Sequence, residues 1–120
     1  IVNCGTPAEW HQNQALIGSA QTLSFGIHPW ASATADFDAA AEYFAQAPVI
    51  GEIGLDRVWT DVPLAVQLPV FERQLALAQA QHKPVVLHTK GCEAAVLKLI
   101  RQYPHLYFAH WYSDAAWQDD

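Results

Sequence analysis

Glu52, His88, His110 and His28 are the side chains of this 120-residue chain whose types suit metal or proton chemistry and whose neighbours suit burial. Glu52 stands in VIGEIGLD, residues 49–56, where an apolar run is interrupted by a carboxylate close to two glycines. Burying a lone carboxylate is costly unless a partner stabilises its charge. His88 closes the run PVVLH, His110 lies near the end of HLYFAHW, and His28 follows LSFGI. One Glu and two His converging on a point would form a metal site with oxygen and nitrogen ligands.

Taken singly, each residue has a plainer reading. A histidine at a strand end is commonly structural or exposed, and Glu52 alone would pair with a buried Arg or Lys. The chain has only six Lys and Arg, however, and Arg57, the nearest in sequence, follows the apolar run rather than lying in it. Recurrence at successive strand ends favours the joint reading. His11, His82 and His105 fall in helix or turn segments and read as solvated, while Trp10, Trp59 and Trp117 read as packing residues.

The elements that must position these groups alternate. Short apolar runs at 1–4, 22–27, 49–53, 85–88 and 106–111 read as strands, with helical periodicity between them. TPAE, residues 6–9, carries an N-cap, a proline suited to the first turn and a capping-box glutamate. A second helix is expected over 35–45, with Phe37, Ala40, Ala41 and Phe44 on one face. A third, over 64–81, presents Leu64, Leu68, Phe71, Leu75 and Ala78. The fourth carries Val96, Leu99, Ile100 and Tyr103 up to Pro104, and a fifth is expected near Ser113. This order implies βα units on a parallel sheet in one domain.

Side chains alternate between the faces of a strand. Ile50, Glu52 and Gly54 then oppose Val49, Ile53 and Leu55, and Val86 and His88 oppose Val85 and Leu87. Leu106, Phe108 and His110 align, and Ser24, Gly26 and His28 oppose Leu23, Phe25 and Ile27. Each strand thus ends on an acid or an imidazole, and in a (β/α) barrel the C-terminal strand ends form the active-site rim.

Composition bounds the partners. Hydrophobic residues make up 52% and charged residues 15%, with a net charge of -6 and no basic stripe. Mean hydropathy is +0.03. A broad electrostatic footprint for duplex nucleic acid is excluded, although bound metals would supply positive charge for phosphates. Cys4 and Cys92 form neither a disulfide framework nor a metal pair. With no signal peptide or membrane-length apolar run, the expectation is a cytoplasmic protein with reduced thiols and no membrane partner. The absence of Met and the close at AAWQDD suggest a portion of a longer protein.

GEIGLD, then Gln67 and FERQLALA, then PVVLHTKG and AHWYS, with FGIHPW ahead of them, resemble the TatD family of metal-dependent hydrolases. The resemblance spans essentially the whole chain, with its motifs in family order. It implies a (β/α)8 TIM barrel of the amidohydrolase type around divalent metal ions, two of them expected (Mg, Mn or Zn). Glu52, His88 and His110 match the family's metal-ligand positions, and Glu52 would often bridge two ions. His28 matches a histidine that lines the substrate site, and Lys90, where the family commonly has Arg, would meet a phosphate. A His-x-His on a preceding strand and an Asp on a last strand have no counterpart here. The expectation is therefore a partial barrel domain over residues 1–120, from strand two to strand five, about half of a fold of about 250 residues. The remainder of its own barrel, or a partner chain, would have to complete it.

The implied activity is hydrolysis of phosphodiesters, with DNA ends as substrate, by a metal-bound hydroxide. Little or no activity is expected of this portion alone. Hydrolysis of a small ester, amide or lactone is the alternative, since fold does not fix substrate. A non-catalytic barrel module is a third reading, opposed by the intact set of Glu52, His88 and His110.

Overall fold

A computed structural model of the chain describes residues 2–16, 22–103 and 108–110. Among them run β1 (Val2–Cys4), α1 (Pro7–Leu16), β2 (Leu23–Phe25), a 3-10 segment (Pro29–Thr34), α2 (Phe37–Gln46), β3 (Val49–Gly54), α3 (Leu64–Ala80), β4 (Val85–His88), α4 (Glu93–Ile100) and β5 (Phe108–His110). The strands pair in chain order, β1-β2-β3-β4-β5, and every pairing is parallel. This is the βα succession expected from the apolar runs. The helix expected near Ser113, along with His105 and Trp117, lies outside the described residues. Among those described, no helix is long and apolar enough to cross a membrane.

Local signals explain where the helices begin. The Glu9 N–H donates to Thr6 Oγ1 at 3.1 Å, so Thr6 caps the helix as the sequence suggests, while Glu9 Oε1 accepts at 3.1 Å from the Gly5 N–H, one residue ahead of the capping-box position. In α2 the Asp36 side chain accepts from the Ala39 N–H, which starts the helix later than periodicity alone implies. Its buried face is Ala40, Tyr43 and Phe44, with Ala41 exposed.

The core lies between the sheet and the helices. Cys4, Phe25, Ile50, Ile53, Val85 and Leu87 from the strands meet Phe44, Phe71, Leu75, Ala78 and Val96 from the helices. Phe25 packs edge-on against Phe44 at 5.1 Å and stacks with Tyr43 at 5.4 Å. Lys83 Nζ donates to the carbonyls of Phe44 and Ala45, at 2.6 and 2.9 Å, and so closes the C-terminal end of α2.

Two features depart from the simple pattern. Leu64 and Leu68 of α3 are exposed, and the buried stripe is Gln67, Phe71, Gln74, Leu75 and Ala78. Each glutamine is buried because it serves a backbone. Gln74 accepts from the Ile27 N–H (2.7 Å) and donates to the Ile27 carbonyl (3.1 Å). Gln67 accepts from the Asp56 N–H (2.8 Å) and donates to the carbonyls of Asp56 and Val62 (both 2.7 Å).

The second departure is in β3. Ile50 pairs with Val85, yet Ile53 pairs with Leu87, so β3 carries one residue more than β4 between these points. Ile50 and Ile53 therefore both join the core, which strict alternation forbids, and Gly51 and Glu52 together occupy the opposite side. A Cβ on Gly51 would lie 2.7 Å from Val86 Cβ, and one on Gly54, at φ 150, would lie 1.8 Å from the His88 carbonyl oxygen. Only glycine fits at this crowded strand end.

Candidate metal centre

Three elements bring imidazole and carboxylate together at the C-terminal ends of β2, β3 and β4. His28 follows β2 and caps the 3-10 segment, with its Nδ1 accepting from the Trp30 N–H at 3.3 Å. The irregularity in β3 turns Glu52 to the same side, and His88 is the last residue of β4. Glu52 Oε1 lies 3.1 Å from His28 Nε2 and 3.2 Å from His88 Nδ1. The two imidazole rings are 4.5 Å apart, centre to centre.

Behind this cluster sits Asp56, fully buried. Its Oδ1 accepts from the backbone N–H groups of Val58 and Trp59, both at 2.8 Å. Its Oδ2 accepts from Trp30 Nε1–H at 2.7 Å and meets His88 Nε2 at 2.8 Å. The Trp30 and Trp59 rings stand nearly perpendicular, 6.3 Å apart, and both are about half exposed at the rim. Lys90 Nζ lies 4.7 Å from the centre of the Trp59 ring. A pocket of about 430 Å³ opens beside Glu52 and His28, lined also by Asn3, Gly26 and Trp30.

The electrostatics follow from these contacts. Burial works to raise the pKa of Glu52, but the contacts with His28 and His88 and their charge outweigh it, bringing the pKa to about 2. For Asp56 burial is likewise outweighed, by the Trp30 indole, the Trp59 and Val58 amides and His88, giving about 2. Burial opposes charge on His88, yet Glu52 and Asp56 together raise its pKa above the ordinary histidine value. Two ionised carboxylates thus flank one imidazole, an environment that attracts positive charge.

Whether these residues suit a cation can be tested on their geometry. Atoms of His28, Glu52 and His88 that can ligate all lie within 4.8 Å of one another. Neighbouring ligands of a Zn²⁺ or Mg²⁺ ion bound at about 2.0–2.1 Å are separated by about 2.8–3.4 Å, from octahedral to tetrahedral geometry. The contacts from Glu52 to the two imidazoles, 3.1 and 3.2 Å, fall within that separation, so Glu52 and a neighbouring imidazole are spaced to share a cation.

Of the residues singled out from sequence, Glu52, His88 and His28 are brought together, and Lys90 stands at the rim. His110 is placed in β5 with its backbone in register with Leu87, one residue short of His88, and its side chain lies outside the described residues. Sequence reasoning missed Asp56, although it is the last residue of the quoted VIGEIGLD. An acid followed by two backbone donors in a turn is the signal that marks it. Trp59, read from sequence as packing, is instead exposed beside the site.

By fold and site this is a parallel α/β protein with a candidate metal centre at its strand ends. The particular family is the TatD related DNases: their family profile matches residues 1–118, and the chain is a member. It is 34% identical over 53 residues to YabD of Bacillus subtilis (strain 168), called an uncharacterized metal-dependent hydrolase, covering 44% of this chain and 21% of that protein. It is 36% identical over 59 residues to the human 3'-5' RNA nuclease TATDN2, covering 48% of this chain and 8% of that protein. The matched stretches are thus about a fifth and under a tenth of those relatives.

Proposed function

We propose that the complete protein is a divalent-metal-dependent phosphodiesterase acting on the ends of nucleic acid strands. The observation that carries this reading is the convergence of Glu52 and His88 at adjacent strand ends, 3.2 Å apart as two ligands of one cation would be, with His28 beside them. Family membership and the nuclease among the relatives support the substrate class. In this reading Glu52, His88 and His110 hold the metal, as part of a barrel to which the present strands contribute one arc.

A divalent ion bound there supplies Lewis acidity, which makes water nucleophilic near neutral pH and stabilises charge on phosphoryl oxygens. The chain's own groups bind and orient. Glu52, ionised throughout the physiological range, holds the cation by charge. His28, beside Glu52 and open to the pocket, faces the substrate; with Nδ1 accepting from the Trp30 N–H, its Nε2 carries the proton and donates. Lys90 meets a phosphate at the rim.

The test is Glu52→Gln in the full-length protein. The expected result is loss of bound metal and of phosphodiester hydrolysis together, while full retention of both would sink the assignment. The net charge of -6 favours a second reading, hydrolysis of a small ester, amide or lactone, because an extended nucleic-acid groove usually carries more Lys and Arg. Assaying phosphodiester and acyl substrates side by side separates the two.

A further inference from the structure

We infer that Asp56 is a positioning residue that fixes the proton of His88 on Nε2 and thereby presents Nδ1 as the metal-ligating nitrogen. The inference rests on the metal reading above for why the lone pair matters, but its geometry stands apart from any reaction.

Asp56 has no freedom in its contacts. Two backbone amides and one indole point N–H groups at its oxygens, and none of these can act as an acceptor. Three fixed donors favour the ionised carboxylate, which can only accept. His88 Nε2, 2.8 Å from Oδ2, must therefore be the protonated nitrogen. A neutral imidazole carries a single N–H, so Nδ1 is left with its lone pair, aimed at Glu52 Oε1 from 3.2 Å. Two acceptors face each other across that gap unless a proton or a cation lies between them. Asp56 also cannot drift, because Gln67 holds both its backbone N–H and its carbonyl. A carboxylate that takes one imidazole proton while the other nitrogen binds metal raises ligand basicity and fixes the ring orientation.

Asp56→Asn inverts this arrangement with almost no change in shape. The amide oxygen keeps the Val58 and Trp59 amides, and the NH₂ then replaces Oδ2, where it faces two donors. The opposite orientation is worse, setting NH₂ against two backbone N–H groups. His88 Nε2 must become the acceptor, and its proton moves to Nδ1, on the metal side.

The experiment uses full-length protein with ¹⁵N-labelled histidine. In metal-free wild-type protein, at a pH alkaline enough to leave the ring neutral, the His88 spectrum should show a protonated Nε2 and an unprotonated Nδ1. Asp56→Asn should reverse the two and weaken metal binding, measured by competition with a chelating dye, about 10–100-fold. Trp30→Phe, which removes one donor to Asp56 and leaves His88 Nε2 untouched, should keep the wild-type tautomer. A wild-type ring protonated on Nδ1 overturns the inference, and so does a folded Asp56→Asn protein whose affinity stays within twofold. Should Asp56→Asn fail to fold, the wild-type spectrum alone decides. A protein that cleaves no phosphodiester yet shows Nε2–H would refute the proposed function and leave the role of Asp56 standing.

Discussion

Gln74→Leu gives the sharpest test of how the helix layer holds the site. Gln74 is fully buried on α3, and its side chain serves both the N–H and the carbonyl of Ile27, the residue before His28. Leucine has nearly the same volume, so packing is little disturbed while both hydrogen bonds vanish. Ile27 is itself buried, so water does not readily replace them. A buried donor or acceptor left without a partner costs about 1–3 kcal/mol, and the pair therefore about 2–6 kcal/mol. Relief of the desolvation of the glutamine amide offsets part of this, leaving a net loss of about 2–4 kcal/mol. Urea unfolding followed by circular dichroism reads the change as a lower midpoint at unchanged slope. Gln14→Leu, on the exposed side of α1, should stay within about 0.5 kcal/mol and serves as the control. A Gln74→Leu loss below about 1 kcal/mol would refute the claim that this amide, rather than apolar burial, ties α3 to β2.

Two further substitutions probe the scaffold. Gly54→Ala forces a Cβ to within 1.8 Å of the His88 carbonyl at a φ that alanine rarely adopts, and should destabilise by at least about 3 kcal/mol in the same unfolding assay, with a near-normal midpoint counting against the close approach. Phe44→Ala, which empties a fully buried site between the Phe25 and Phe37 rings, should cost about 3–5 kcal/mol by thermal or chemical unfolding, and a loss under about 1 kcal/mol would mean the site collapses freely.

The strands were legible because each is a short apolar run, and 85–88 was legible to the residue. The parallel order followed from the helices between them. What periodicity could not show was the face of α3. Gln67 and Gln74 are polar by type, and only the backbone groups they reach, far along the chain, explain their burial. The β3 irregularity was equally hidden, since alternation assumes one residue per pleat and Gly51–Glu52 occupy the space of one. Glu52, His28 and His88 were legible because chemistry-bearing residues at strand ends are conspicuous against apolar neighbours. Asp56 was not, because its importance lies in four donors gathered from a 3-10 segment, a loop and a strand.

The two glutamine clamps make α3 a gauge. They sit two helical turns apart, about 10 Å along the helix axis with Pro69 between them, and each grips the backbone at one edge of the site: Ile27 ahead of His28, and Asp56 behind His88. The separation between those edges is thus indexed to the pitch of a helix and not to the loops that join them. Gln67 also grips Val62, so the chain between Asp56 and Val62 is pinned at both ends like a bow. Insertions at its crest, around 60–61, should change what the rim presents to a substrate while the spacing beneath stays the same.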